Sequence, residues 1–270
     1  MVLTKHKKKV LLIMISMLII GLGVFYYTST KPTFVATIEG SFFPLYSTID
    51  KVLVTISGRR ISLNIATTTP SRYPLHKNIT ATVFWVGEPV GNGSSEDNAL
   101  SAWDDEWQKS YGGYDDYVNR NGYYPAGFIP KENPFYVDVP YNDFDDDGNR
   151  KPNAYDVVPW AHEKVWGEEE SMMKNRWVKI TKNNVTCYGQ NEDAGPYEYD
   201  DYAYVFGTQP PKNKEANNAG MDISPALRDC LTFEGLNTDS NKVDWQFIDE
   251  KDVPEGPWKT IVITSQINWK

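Results

Sequence analysis

The strongest constraint on how this chain can fold is an apolar run near its N-terminus. The run, Val10–Tyr27, carries no charge and follows a basic cluster that contains Lys5 and Lys7–Lys9. As a helix it would be roughly 27 Å long, close to the lower limit for crossing a bilayer. A basic start followed by such a run is typical of a signal peptide or a signal anchor. The run therefore sets residues 1–30 apart from the rest of the chain.

Several features of this segment favour an uncleaved anchor over a signal peptide. The run is longer than a usual signal-peptide core, no A-x-A cleavage site follows it, and Phe25–Tyr27 would suit a membrane interface. The lysines are expected to stay in the cytoplasm, which places the chain from about residue 31 outside. We therefore expect a single-pass protein of the cytoplasmic membrane with an extracytoplasmic C-terminal domain. Cleavage would instead release a secreted protein.

The charge of the remaining chain limits its partners. The protein has 27 Lys and Arg against 36 Asp and Glu, and residues 1–30 contain four of those lysines and no acid. Residues 31–270 therefore carry a net charge of −13. Such a surface repels nucleic acids and other anionic polymers, so a nucleic-acid partner is not expected. A neutral or weakly charged partner fits better.

Residue patterning beyond the anchor predicts a mainly β fold. Alternation of apolar and polar residues predicts many short strands, at 51–57, 60–67, 79–86, 134–139, 176–181, 185–190, 202–206, 242–248 and 259–264. Helices are predicted at Asp97–Ser110, from an apolar stripe, and after Ser224, which can cap a helix whose first residue is Pro225. We expect three regions: an anchor (1–30), an N-terminal β extension (31–75), and a compact β-barrel with long insertions (76–270).

Two acidic motifs are the main candidates for chemistry. Asp193 enters a Gly-Pro turn in the stretch E-D-A-G-P-Y, and Asp222 lies just before the capped helix in G-M-D-I-S-P-A-L. Two carboxylates in one groove, with different pKa values, can act as acid and base in glycosidic bond cleavage. The alternative is structural. An Asp in a Gly-Pro turn often bonds local amides, and an Asp near a helix start favours the helix dipole.

The order of these motifs, followed by a closing strand at V-D-W-Q-F (residues 243–247), resembles a double-psi β-barrel. Over roughly residues 175–250 the chain is similar to the six-stranded barrels of rare lipoprotein A, expansins and membrane-bound lytic transglycosylase A. Other sequence segments resemble a less characterised bacterial extracytoplasmic family that is built on the same barrel. These segments are residues 81–88, 111–116, 130–141 and 174–180.

The resemblance implies roles for the two aspartates. Asp222 matches the acid that protonates the glycosidic oxygen in the lytic enzymes, and Asp193 becomes the second carboxylate of the groove. Attack would come from the 6-hydroxyl of the sugar or from water. Expansins have H-F-D where this chain has Gly220-Met221-Asp222, so their histidine is missing. The departure puts direct transfer of wall loosening or cleavage in doubt and leaves a rare lipoprotein A type of site as the nearest.

Aromatic residues make up 14% of the chain and cluster in predicted loops. Tyrosine rings near acids suit sugars, since C–H faces stack on the rings while hydroxyls find polar partners. They also pack well in β-rich structure, which is the alternative. The candidate substrate-binding residues are Tyr114, Tyr123, Tyr124, Tyr197 and Tyr199.

Two further features concern a metal and a disulfide. Asp143, Asp145 and Asp147 form a D-x-D-x-D-G pattern like the first half of a calcium loop, although Ala154 stands where an EF-hand has Glu. A single calcium site and a solvated acidic turn are both compatible with it. Cys187 and Cys230 are an even pair in an oxidising compartment, so they are either bridged or two separate buried thiols.

Taken together, the sequence predicts a membrane-anchored protein that binds a cell-wall glycan, peptidoglycan in particular, and that could cleave it as a lytic transglycosylase or glycoside hydrolase. The alternative is a non-catalytic wall-binding or scaffolding module, with calcium as a possible stabilising ion.

Overall fold

The computed structural model describes residues 34–39, 42–43, 46–47, 51–56, 59–64, 72–91, 94 and 96–266. The chain divides into two compact units with their boundary between Pro70 and Ser71, and each is described by itself. Within the described residues, no helix has the length and apolar character needed to cross a membrane. The predicted anchor over residues 10–27 lies outside the described residues.

The N-terminal unit contains short antiparallel strands. They are β1 (Phe34–Glu39), β2 (Phe42–Phe43), β3 (Tyr46–Ser47), β4 (Lys51–Ile56) and β5 (Arg59–Asn64). β4 lies between β1 and β5 in one sheet, and β2 pairs with β3. The antiparallel pairing of β4 with β5 confirms the hairpin predicted over residues 51–67.

The C-terminal unit is built on a closed, six-stranded mixed β-barrel, which confirms the expected barrel at this level. Its strands are β6 (His76–Val83), β9 (Tyr136–Val139), β10 (Arg176–Lys182), β11 (Val185–Ala194), β12 (Met221–Ile223) and β13 (Lys242–Phe247). They close in the order β10-β11-β9-β12-β6-β13. The pairs β11–β9 and β12–β6 are parallel and the others antiparallel. A small hairpin of β7 (Arg120–Asn121) and β8 (Tyr124–Pro125) precedes β9.

The alternation along the strands explains why the barrel has an apolar core. On β13, Val243, Trp245 and Phe247 are buried, whereas the residues between them are partly exposed. Successive strand residues point to opposite faces, so one set fills the interior and the other faces outward. On β12 the same alternation buries Met221 and Ile223 and turns Asp222 away from the core. This period of two decides which side chains can form a site on the outer surface.

Four short helices lie in the described connections: α1 (Trp107–Tyr111), α2 (Ala154–Val157), α3 (Tyr202–Val205) and α4 (Pro225–Cys230). α4 starts as predicted, because the Ser224 side chain accepts a hydrogen bond from the Leu227 amide and Pro225 occupies the first turn.

The predicted helix over residues 97–110 was wrong for most of its length. Only α1, its last turn, is helical, since upstream amides are bonded to side chains instead of to the backbone. The Ala99 amide donates to Asp97, that of Trp103 to Ser101, and that of Glu106 to Asp104. Asp and Ser side chains compete with helical hydrogen bonds in this way. The segment becomes a chain of turns.

Two predicted strands were also wrong. Residues 202–206 contain α3, in which the Val205 amide donates to the Asp201 carbonyl at 2.9 Å. Five alternating residues fit a strand and a helical turn equally well. Residues 259–264 begin with the last residue of a 3-10 turn, Pro257–Lys259, and contain no strand. Ile263 is held by a side chain, because its amide donates to Gln190 Oε1 at 3.0 Å and its carbonyl accepts from Gln190 Nε2 at 2.8 Å.

Candidate functional site

Four neighbouring barrel strands carry a row of polar side chains. Asp193 on β11 is opposite Asp138 on β9, Asp138 is opposite Asp222 on β12, and Asp222 is opposite Thr82 on β6. Residues directly opposite each other on paired strands point to the same face of a sheet. Since Asp222 points away from the core, the whole row lies on the outer face of the barrel. Strand register therefore brings three carboxyl groups together from distant parts of the sequence.

A covering segment, residues 96–102, turns this row into a cleft of about 200 Å³. The Ala102 amide donates to Asp193 Oδ1 at 2.7 Å and so holds the segment against β11. At its other end, the Asn98 amide donates to the Glu88 carbonyl at 3.0 Å. Glu88 also lines the cleft. The barrel row and the covering segment therefore line one cleft together.

The carboxylate of Asp193 is held by backbone amides. Its Oδ1 accepts hydrogen bonds from Ala102 at 2.7 Å and from Ala194 at 2.8 Å. Two such donors favour the ionised form. Burial acts in the opposite direction and more strongly, and raises the pKa of Asp193 to about 7.

Asp138 lies between the two predicted catalytic residues. Its Oδ1 accepts a hydrogen bond from the Asp222 amide at 2.9 Å, and Thr82 Oγ1 donates to Asp222 Oδ1. A Cβ atom on Gly195 would lie only 2.8 Å from Asp138 Oδ2. The glycine of the E-D-x-G-P-Y motif is thus needed because the backbone passes directly beside this carboxyl group.

The pKa values of all four carboxyl groups, called here the cleft acids (Asp138, Asp193, Asp222 and Glu88), are raised. Burial raises the pKa of Glu88 to about 7. Burial and then the negative charges of Glu88 and Asp193 raise the pKa of Asp222. Burial, Asp222 and Asp193 together place the pKa of Asp138 well above its usual value. Neighbouring carboxyl groups in a low-dielectric site cannot all ionise, so the cleft holds protons near neutral pH.

Protonated and ionised carboxyl groups side by side are what general acid and base catalysis requires. The cleft lining also sets the charge of its ligand. Among its described residues are six acids, the cleft acids with Glu96 and Asp97, and no Lys, Arg or His. Anionic ligands are therefore disfavoured.

In the described part of the chain, no group of three or more His, Cys, Asp or Glu is placed to hold a metal ion.

Two of the candidate tyrosines line the cleft. Tyr197 and Tyr199 are 38% and 40% exposed, and the Tyr199 hydroxyl donates to Glu96 Oε1 at 3.1 Å. Tyr197 has φ 60°, in the left-handed region that bulky residues rarely adopt. Strained backbone of this kind concentrates at binding and catalytic sites. The two rings give the mouth of the cleft an aromatic side.

The other three candidate tyrosines are elsewhere. Tyr123 packs on Phe135, with ring centroids 4.9 Å apart, and belongs to the edge of the core. Tyr124 is part of β8, and Tyr114 lies close to Gly87 on the turn after β6. None of the three is among the described residues that line the cleft. A role for them in binding stays a prediction.

The acidic loop predicted as a calcium site is held by its own hydrogen bonds and an ion pair. Asp143 is buried, pairs with Arg150 at 2.5 Å and accepts hydrogen bonds from Ser171 and from the Met172 amide. Asp145 Oδ1 accepts from the amides of Asp147 and Asn149. Asp145 thus acts as a turn-forming side chain, and Asp143 joins the loop to residues 171–172. Calcium binding by Asp143, Asp145 and Asp147 stays a prediction.

Cys187 and Cys230 form a disulfide, with their Cα atoms 6.4 Å apart. The bond joins β11 to the last residue of α4. β11 carries Asp193, and α4 follows Asp222 and Ser224 in the chain. The disulfide therefore connects the strand that carries Asp193 with the helix that follows Asp222 in the chain.

Sequence reasoning did not identify Asp138 or Glu88. The signal for Asp138 is its place as the one acid in the apolar strand Y-V-D-V, because Asp is depleted in strands. Glu88 has a weaker signal, a G-E-P turn directly after a buried strand. Both residues are almost fully buried, at 4% and 5% exposure.

A scan against protein-family models finds no match for this chain, and a search of curated proteins finds none either.

Proposed function

We propose that this protein binds a cell-wall glycan, peptidoglycan in particular, and cleaves its glycosidic bonds through Asp222 with assistance from Asp193. The observation that carries the proposal is the convergence of both aspartates in one cleft beside Tyr197 and Tyr199. Acid groups with raised pKa values beside aromatic rings suit a sugar whose glycosidic oxygen must be protonated.

The double-psi form of the barrel and its location are part of the same proposal. The predicted anchor, Val10–Tyr27, would hold the barrel outside the cytoplasmic membrane, where the wall lies. The likeness to rare lipoprotein A, expansins and membrane-bound lytic transglycosylase A supports a double-psi barrel, and the closed six-stranded barrel is compatible with it.

The size and charge of the cleft support a glycan ligand. A volume of about 200 Å³ is below the roughly 300–1,000 Å³ typical of small-molecule pockets. Such a cleft suits one ring of a polymer, with the rest of the strand outside. Its acidic lining disfavours nucleic acids and phosphate-rich polymers.

A second candidate is a non-catalytic wall-binding module. It is favoured by the hydrogen bonds of the two aspartates. Asp193 accepts hydrogen bonds from two backbone amides, and Asp222 accepts one from the Thr82 hydroxyl. In this candidate, both carboxyl groups have a structural role only. Both candidates predict that the protein sediments with sacculi. Only the first predicts the release of fragments.

The test uses the full chain in mild detergent with purified sacculi, and mass spectrometry of the released muropeptides. We expect anhydro-muropeptides, or reducing-end products if water attacks, and a decrease of at least about 100-fold in Asp222→Asn. The matched control is Asp244→Asn, since Asp244 also lies between two apolar strand residues but is outside the described cleft lining. Binding without release would support the second candidate, and equal release by the two variants would remove Asp222 from the site.

A further inference from the structure

Glu88 is the one cleft acid that comes from outside the strand row. It ends a turn after β6 in which its amide donates to the Trp85 carbonyl at 2.9 Å. Its backbone carbonyl accepts a hydrogen bond from the Asn98 amide, and its Oε2 accepts one from Asn98 Nδ2 at 3.3 Å. The turn and the covering segment therefore hold Glu88 in place at the wall of the cleft.

The charge of Glu88 acts on Asp222 more strongly than that of Asp193. After burial, Glu88 is the larger of the two electrostatic influences that raise the pKa of Asp222. Glu88 lines the same cleft as Asp222, where charges are screened less than in water. Asp222 thus has a candidate partner other than the one its sequence motif suggests.

The hydrogen bonds of Asp193 and Asp138 hold other parts of the cleft in place. Asp193 Oδ1 accepts two backbone amides, one of which ties down the covering segment, and Asp138 Oδ1 accepts the Asp222 amide. Glu88 accepts a backbone hydrogen bond from Trp85 and a long one, at 3.3 Å, from the side-chain amide of Asn98. An ionised carboxylate has about four acceptor sites, so these two bonds leave Glu88 able to take a proton from an attacking hydroxyl.

We infer that Glu88, and not Asp193, is the second catalytic carboxyl group of the cleft, and that Asp193 is a positioning residue for the covering segment. The inference rests on the proposed function. In the reaction, Asp222 donates its proton to the glycosidic oxygen and the bond from that oxygen to C1 breaks. The sugar 6-hydroxyl or a water forms the new bond to C1, and its proton passes to Glu88. Solvent then returns the two carboxyl groups to their starting states.

The test compares Glu88→Gln, Asp193→Asn and the exposed control Glu250→Gln in the full chain, with muropeptide release as a function of pH. A general base is active when ionised, so Glu88 sets the acidic limb of the profile and Asp222 the alkaline limb. We expect Glu88→Gln to lower release about 100-fold or more and to flatten the acidic limb. Asp193→Asn should lose less than about 10-fold and keep both limbs. Formate should partly restore release by Glu88→Ala and not by Asp193→Ala.

Asn98→Ala gives an independent reading should Glu88→Gln fail to fold. The Asn98 side chain lowers the pKa of Glu88, so its loss should move the acidic limb to higher pH. A folded Glu88→Gln variant within threefold of wild type, or an acidic limb unmoved in Asn98→Ala, overturns this inference and leaves the proposed function standing. A folded wild-type protein that releases nothing from sacculi refutes the proposed function, and the catalytic role of Glu88 is then refuted with it.

Discussion

A buried ion pair, formed by the residue next to Asp193 on β11, allows a direct test of how this unit is stabilised. Lys174 Nζ lies 2.8 Å from Glu192 Oε2, and the side chains are only 2% and 1% exposed. Burial acts to lower the pKa of Lys174, but the attraction of Glu192 and of buried Glu132 outweighs it, so this pKa is raised. Burial raises the pKa of Glu132 to about 8 and also raises that of Glu192. One lysine thus compensates two buried carboxyl groups.

Lys174→Met keeps most of the apolar stem and removes the charge. Breaking a fully buried pair by removing one partner costs about 3–5 kcal/mol, because the other charge stays buried and unpaired. For a unit of this size, that loss corresponds to a decrease in Tm of roughly 6–20 °C.

The cost should depend on pH. Without Lys174, the pKa values of Glu192 and Glu132 rise further in the folded state. A carboxyl group with a raised folded pKa contributes stability that is full below its unfolded pKa and lost as pH rises through the folded pKa. The deficit of the variant should therefore be small near pH 5 and large near pH 8.

The assay is urea unfolding followed by tryptophan fluorescence at both pH values. All nine tryptophans lie after residue 71, so the signal reports on the C-terminal unit. The matched control is the double variant Lys174→Met/Glu192→Leu, which removes both charges and should recover part of the loss. A deficit below about 1 kcal/mol at pH 8, or one of equal size at both pH values, would refute the reasoning, since breaking a buried pair carries a larger cost.

Three other predictions follow from the structure. Gly195→Ala places a methyl group 2.8 Å from Asp138 Oδ2, so it should displace that carboxyl group. We expect muropeptide release to decrease about 10-fold or more, with little change in Tm. Unchanged release would show that this contact does not matter for the reaction. Cys187→Ser/Cys230→Ser opens a disulfide between residues 43 apart and should cost up to about 4 kcal/mol by the chain-entropy relation, measured by urea unfolding against oxidised wild type. Reduction should destabilise wild type by a similar amount and the variant not at all, and a variant as stable as oxidised wild type would contradict this. Because the folded pKa values of the cleft acids are raised, the free energy of unfolding of the wild type should be highest near pH 5 and fall towards pH 8. Asp193→Asn removes one of these acids and should make this fall less steep. The same dependence on pH in the variant and the wild type would contradict the protonation assigned to Asp193.

The sequence predicted elements whose signals are local. The hairpin of β10 and β11 could be predicted from alternating residues on both sides of Lys182-Asn183-Asn184, and Asn183 and Asn184 indeed have φ of 49° and 68°. The cap of α4 needs only Ser224 and Pro225. Asp193 and Asp222 could be selected because each motif contains a turn or helix signal close to the acid.

The rest of the site depends on long-range register, which a single sequence does not contain. Asp138 becomes part of the cleft because β9 lies between β11 and β12 in the barrel. Glu88 becomes part of it because Asn98 bonds the turn to the covering segment. That segment was itself predicted as a helix, and its true turns arise because Asp97, Ser101 and Asp104 bond nearby amides. The helix propensity of this segment was therefore overridden by side-chain hydrogen bonds to the backbone, which are seen only in the folded structure.

β11 connects the stability of the barrel with the chemistry proposed for the cleft. Along this strand lie Cys187 of the disulfide, Glu192 of the buried ion pair and Asp193 of the cleft. Holding several carboxyl groups in a desolvated cleft costs free energy, because their ionised forms lose solvation. A site with that cost keeps its geometry only if the strand beneath it is rigid. The disulfide and the Lys174 pair supply such rigidity on the same strand, so loss of either should weaken the cleft although neither is part of its described lining.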